Sequence, residues 1–307
     1  MDPDVARMAL EGLLAPRKTL PPSLFYDEEG CRLFYRITDL PEYYLTRTER
    51  VLLAEIGPAI AAAVGPGATL VEYGASHEEK ACLLMAFPGA FARYIPVDVA
   101  APELSRLRER MAVSHQAVNV EPVVADFMRP IVLAGLPRDG RVLGFFPGST
   151  IGNLEPSEAI SFLVRARETL GPRARFLLGA DLRKSPSVLI PAYDDAEGVT
   201  AAFNRNLLVR LNREAAANFD LMAFRHEARW NDAESRIEMH LVSLRDQKII
   251  LAGVTVHFAE GESIHTENSY KHAPDALLTL ARDAGWALER QWTDPAGRFG
   301  HFLFGLQ

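Results

Sequence analysis

Cysteine is nearly missing from this chain: Cys31 and Cys82 are the only two in 307 residues, and no CxxC or clustered Cys/His spacing marks a zinc site. Without a disulfide framework, a reducing, cytoplasmic setting is expected. Long apolar runs are missing too. The longest uncharged apolar stretch, 56–71, is interrupted by Pro58, Pro66 and three glycines and falls short of the ~18 residues of a membrane helix. The opening MDPDVARMALEGLL has acids before any apolar stretch, unlike a secretory leader. Basic charge is not in excess, since 33 Lys and Arg against 40 Asp and Glu give a net charge of -7. Neither nucleic acid nor a membrane is an expected partner. The eight histidines never fall at H-x-x-x-H or H-E-x-x-H spacing, so no metal is expected. A G-x-S-x-G elbow, a G-x-G-x-x-G turn and a G-x-x-x-x-G-K-[ST] loop are likewise absent.

What is present is ordinary globular composition, 48% hydrophobic and 24% charged, at about twice the ~150-residue domain prior. From Glu49 a rhythm of short apolar runs and longer helical patterns predicts βαβ units. The predicted strands are ATLVEY (68–73), RYIPVDV (93–99), EPVVADF (121–127), RVLGFFP (141–147) and RFLLGADL (175–182). Several are apolar on both parities, as a parallel sheet covered on both faces requires. After Leu182 a mostly helical stretch is followed by FRHEARW, SRIEMHLVSL, KIILAGVTVHF and ESIHTENSYK, which read as one antiparallel meander. The last ~35 residues resume the α/β pattern. The expected architecture is therefore α/β: a doubly wound sheet over 47–183 and 272–307, with an α+β lobe of 184–271 inserted after its fifth strand. Residues 1–46, which lack strand rhythm, are expected to join that lobe.

The chemistry-bearing residues gather at strand ends. Gly74 follows the first strand, where glycine lets backbone approach a ligand. Asp98 ends the next, 24 residues on, about the spacing at which an acid reaches a ribose hydroxyl. Asp126 and Phe127 offer an acceptor and an aromatic face to a purine, or Asp126 caps a helix. An adenosine ligand without phosphate-binding glycines points to S-adenosylmethionine over NAD or ATP. Asn153, in FFPGSTIGNLEP, either orients a substrate amine or carboxylate or caps the helix that follows. Glu267 and Ser269 share one face of their strand, with Tyr193 and Met239 elsewhere in the same lobe.

In order, the strings FYDEEGCRLFYRITDLPEYYLTRTE, DFMRP, FFPGSTIGNLEP, AYDDAEGVTAAFNRNLLVRLNRE, RIEMHL and IHTENSYK resemble the S-adenosylmethionine-dependent histidine N-alpha-methyltransferases of ergothioneine biosynthesis, from about Lys18 to Asp294. The resemblance implies a Rossmann-like class I methyltransferase sheet with an inserted substrate lobe, acting as a monomer. It implies three methylations of the α-amine of L-histidine, giving hercynine. Its nearer rival keeps fold and cofactor but takes another amino acid or stops at one or two methyl groups. By matching positions, Tyr43 and Asn153 correspond to the residues that orient the amine, Tyr193 to the carboxylate contact, and Glu267 and Ser269 to the imidazole clamp. Met239 corresponds to a lining residue of the same pocket. Gly74, Lys80, Asp98, Asp126 and Phe127 match cofactor positions, with Tyr26 a further one. The family's usual ELGSGSSEKT reads EYGASHEEKA here, with Ala75, Ser76 and His77 in place of the small, glycine-rich run.

Overall fold

The computed structural model describes residues 1–75, 77–137 and 141–306. Two helices open the chain, α1 (Pro3–Leu13) and α2 (Glu28–Asp39). Each begins at an aspartate whose carboxylate accepts free N–H groups of the first turn: Asp2 from Asp4 at 2.9 Å, Asp27 from Gly30 at 2.8 Å. Next come α3 (Tyr44–Val64), β1 (Ala68–Tyr73), α4 (Glu79–Met85), β2 (Phe91–Asp98) and α5 (Ala101–Ser114). They are followed by β3 (Asn119–Val120), β4 (Val123–Val124), β5 (Val142–Phe146), α6 (Pro156–Leu170) and β6 (Arg175–Asp181). Two helices, α7 (Pro186–Tyr193) and α8 (Val199–Glu214), then precede five strands: β7 (Phe224–Asn231), β8 (Arg236–Ser243), β9 (Gln247–Leu251), β10 (Val254–Phe258) and β11 (Ser263–Tyr270). The chain closes with α9 (Pro274–Asp283), β12 (Trp286–Thr293) and β13 (Phe299–Leu306).

These elements form two compact units, Met1–Tyr44 with Lys184–Tyr270 and Leu45–Arg183 with Lys271–Gln307. The second unit holds an eight-stranded sheet in the order β12-β13-β6-β5-β1-β2-β3, with β4 also on β2. Strands β1 to β6 pair in parallel, and β13 enters antiparallel between β6 and β12. Neighbouring residues of one strand serve opposite cores. Leu70 and Phe145 pack with Leu53 and Ile60 of α3, whereas Val71 and Phe146 pack with Leu163 of α6 and Leu277 of α9. Doubly apolar strands in the sequence are the consequence.

Two expectations need correction. EPVVADF is not one strand: pairing with β2 is interrupted between β3 and β4 at Pro122, which has no N–H to give the ladder, although Glu121 N–H still donates to the Tyr94 carbonyl of β2. Asp126 and Phe127 thus lie in a loop beyond the strand, and among the described residues no helix lies between Asp126 and β5. Nor is the other unit's sheet one meander. Its sheet is β11-β8-β7, and β9 and β10 form a hairpin of their own. Helix α8 begins at Val199, and the carboxylate of Asp195, four residues earlier, accepts from Val199 N–H at 2.9 Å and Thr200 N–H at 2.7 Å. Among the described residues no helix is long and apolar enough to cross a membrane.

Candidate active site

In the unit that holds the eight-stranded sheet, the carboxyl ends of β1, β2 and β4 are laced together by backbone bonds. Gly74 and Ala75 N–H both donate to the Val97 carbonyl, at 2.9 and 3.2 Å, and Ala125 N–H donates to the Asp98 carbonyl at 3.0 Å. Gly74 sits at φ +77°, and a Cβ there would meet nothing closer than the Phe127 ring at 3.7 Å. Backbone conformation rather than crowding demands the glycine, and the strand end stays bare toward Phe127. The Asp98 carboxylate accepts Ala100 N–H at 2.8 Å, and burial pushes its carboxyl up. Asp126 accepts Met128 N–H at 2.8 Å, and Phe127 packs edge-on against Phe146 and Phe162.

The loop after β5 is held by a residue that the sequence reading did not single out. Glu49, fully buried on α3, accepts Gly148 N–H at 2.8 and 3.0 Å and pairs with Lys80 at 2.6 Å. Gly148 has φ +77°, and a Cβ there would come within 3.1 Å of the Lys80 ammonium. Ser149 follows in the left-handed region at φ 60°, its Oγ accepting Asp181 N–H at 2.9 Å. Asn153 ends the short 3-10 turn Thr150–Asn153. It does not cap α6, which begins with a capping box between Glu155 and Glu158. The capping explanation of Asn153 therefore fails.

Beneath this edge, burial raises the Glu72 carboxyl to about 8, although the Tyr94 hydroxyl donates to it. The folded chain therefore keeps a proton on Glu72 that the unfolded chain releases near 4.5. Stability falls as pH rises between those values. Glu72→Gln, which keeps an acceptor for Tyr94, is expected to flatten that decline. Urea midpoints from pH 5 to 8 that fall as steeply in the variant as in the parent would contradict this assignment.

The other unit assembles the remaining candidates. Tyr193, at the end of α7, hydrogen-bonds Ser269 Oγ at 2.8 Å, and its ring lies edge-on to Tyr43 at 6.2 Å. Tyr43 meets Phe34 at 6.5 Å, and Phe34 meets Tyr26 at 6.2 Å, so four rings run from Tyr26 to Tyr193. On β11, Glu267 is the cross-strand partner of Met239 and Ser269 that of Ile237, which puts Glu267, Ser269 and Met239 on one buried face. His226 Nε2–H donates to the Tyr193 carbonyl at 2.8 Å, and its Nδ1 accepts from Asn204 at 2.8 Å. Burial lowers the His226 pKa, so the imidazole stays neutral in this tautomer and fixes the end of α7.

With that geometry in place, similarity to known proteins decides the family. The family model described as histidine-specific methyltransferase, SAM-dependent, matches residues 5–306. The chain belongs to this family. It is 44% identical over 294 residues to the histidine N-alpha-methyltransferase of Mycolicibacterium smegmatis, covering 94% of this chain and 91% of that protein. The Mycobacterium tuberculosis protein of the same name is 42% identical, with 96% and 92% covered. Ergothioneine biosynthesis protein 1 of Schizosaccharomyces pombe is 29% identical over 97% of this chain, which corresponds to 41% of that longer protein. An S-adenosylmethionine-dependent methyltransferase structure from Clostridium acetobutylicum shares the fold, with TM-score 0.53 at 9% identity, covering 90% of this chain and 98% of that one.

The EYGASHEEKA turn lacks the second glycine that the sequence resemblance leads one to expect. Ser76, where the second glycine is replaced, lies outside the described residues. Ala75 is fully buried, and Glu78 is gripped by Arg110 through bonds of 2.7 and 2.6 Å. The turn is anchored on both sides of that position. Glu49, His226 and Asn204 were missed because their partners are distant in sequence; Glu49 stands between Thr48 and Arg50 in the polar run TRTER, where a glutamate is locally unremarkable.

Proposed function

We propose that this protein transfers methyl groups from S-adenosylmethionine to the α-amino group of L-histidine, three rounds giving hercynine. The observation that carries this reading is the Tyr43, Tyr193, Glu267, Ser269 and Met239 arrangement, in a chain 44% identical to a histidine N-alpha-methyltransferase. The unit containing the parallel sheet is assigned the cofactor and the other unit the histidine.

The strand-end residues suit an adenosyl group. Asp98 is a carboxylate for the ribose diol, Asp126 an acceptor for the exocyclic amine, and Phe127 a ring for the purine, beside the bare Gly74 backbone. Because the Gly74 and Ala75 N–H groups are taken by Val97, recognition here falls to side chains. Lys80 keeps donors beyond its bond to Glu49, and Tyr26 is a further cofactor-side assignment. Bound S-adenosylmethionine supplies an electrophilic methyl group that is displaced in line. The chain's own task is to present a nitrogen lone pair and exclude water. An α-amino group is largely protonated near neutrality, and Tyr43 and Asn153 are assigned to hold it once its proton has left to water. A quaternary product has no N–H to satisfy, and the Tyr43, Phe34 and Tyr193 rings suit it.

Mass spectrometry of L-histidine incubated with the protein and S-adenosylmethionine is expected to show mono-, di- and then trimethylated product. Folded protein that yields no methylated histidine would overturn the substrate. Tyr43→Phe removes one orienting hydrogen bond, worth about 0.5–1.5 kcal/mol. It should slow the methylation series roughly 3–10-fold with unchanged cofactor affinity; an unaltered rate and product distribution would remove Tyr43 from this role.

A further inference from the structure

The ladder that carries Met239 and Glu267 has a second face, and that face bears a different chemistry. His265 pairs with His240 across β11 and β8, but Glu267 pairs with Met239, so β11 advances two residues while β8 advances one. This bulge at Thr266 sends His265 and Glu267 to opposite faces although they are two residues apart. Glu238, two residues from His240 on β8, shares the His265 side.

We propose that Glu238, His240 and His265 bind a late first-row divalent cation of the zinc class. One ligand atom from each lies within 4.8 Å of the others. The two imidazoles stack at 4.9 Å and 18°. His240 Nε2 is 3.2 Å from Glu238 Oε2, close to the separation of about 3.3 Å between two ligands of a tetrahedral zinc ion with ~2.0–2.1 Å bonds. A proton shared across that gap is what the cation would replace.

The surroundings leave Glu238 Oε2 and His240 Nε2 facing one another, and the Asn268 side chain, opposite Glu238 on this face, is a hydrogen-bond partner of His265 that a cation would displace. Glu238 Oε1 is taken by Asn231 at 2.9 Å and Arg236 at 2.8 Å, which leaves Oε2 to the imidazole. His265 Nε2–H donates to the Glu267 carbonyl at 3.1 Å, so its lone pair is on Nδ1. That carbonyl bond is the kind of outer contact that orients metal-bound imidazoles. Ser263 Oγ, 3.2 Å from His240 Nδ1, can donate or accept and so serves either tautomer. The cations facing this side are engaged: Arg229 with Glu227, and Arg236 with Glu238 and the Tyr270 hydroxyl. Burial, then Arg229 and His265, lowers His240 to about 4, and burial lowers His265 as well. Against the upward push of burial, hydrogen bonds from Asn231, Arg236 and His240 bring Glu238 down to about 2. Two neutral imidazoles and one carboxylate are the protonation states that a metal requires. They select zinc, cobalt or nickel over magnesium or calcium.

The test uses untagged, chelator-stripped full-length protein titrated with Co2+, in the absence of histidine. Visible d–d absorption saturating at one equivalent and abolished by Zn2+ is expected. Glu238→Gln and His265→Gln should each weaken Co2+ binding at least about tenfold, whereas His257→Gln, on an exposed position of β10, should not. Circular dichroism establishes that each variant is folded. A folded parent with no Co2+ spectrum, or affinity unchanged in both ligand variants, would overturn the proposal.

Discussion

Lys271→Met is expected to destabilise the chain by about 3–5 kcal/mol, the cost of stripping one partner from a buried ion pair. Lys271 Nζ lies 2.9 Å from Asp181 Oδ2, and neither side chain reaches solvent. The variant leaves a carboxylate in the protein interior without its cation. An exposed pair such as Arg7 with Glu11, at 3.1 Å, is screened by solvent and contributes little, so Arg7→Ala is the appropriate control. Asp181→Asn combined with Lys271→Met removes both charges and should recover much of the loss. Urea denaturation reads these differences as shifts in midpoint at constant slope. A Lys271→Met midpoint within about 1 kcal/mol of the parent would show that Asp181 is satisfied by other means. The same pair bears on the candidate site: Asp181 N–H holds Ser149 Oγ in the turn that leads to Asn153. Activity should therefore fall further than the unfolded fraction explains.

Local pattern made the sheet legible, while long-range pairing hid what locks the site together. Strands β1, β5 and β6 follow from runs apolar on both parities, because both faces really are covered. Pro122 was a legible warning that EPVVADF breaks, yet the apolar residues on either side of it outweighed that signal. The β9–β10 hairpin has the same alternation as its neighbours, and only the pairing of β11 with β8 separates it from them. The strand-face argument for Glu267 and Ser269 needed only period two. The Tyr193–Ser269 bond crosses 76 residues and Glu49–Gly148 crosses 99, and no local pattern reports such contacts. The expectation of no metal rested on helical histidine spacings. A carboxylate and an imidazole two apart on one strand, facing a histidine across a bulged ladder, fall outside that search.

Glu267→Gln should lower kcat/KM for histidine by about 10–150-fold, since a hydrogen bond to a charged group is worth about 1.5–3 kcal/mol. Glu267 is buried on the face it shares with Met239 and Ser269, and Ser269 is already fixed by Tyr193 at 2.8 Å. Under the proposed assignment an imidazole N–H donates to the Glu267 carboxylate. Glutamine keeps the shape and one acceptor, so fold and cofactor affinity should persist while the charge assistance is lost. Ser269→Ala removes a neutral bond of about 0.5–1.5 kcal/mol and should cost less, roughly 3–10-fold. The pH dependence separates charge from shape. Histidine's imidazole gains its proton below about 6.5, and a carboxylate accepts the cation readily where an amide does not. The ratio of the Glu267→Gln KM to the parent KM should therefore widen as pH falls from 7.5 to 6. A ratio that stays flat over this range, or an equal loss of S-adenosylmethionine affinity by calorimetry, would move Glu267 from substrate recognition to support of the fold.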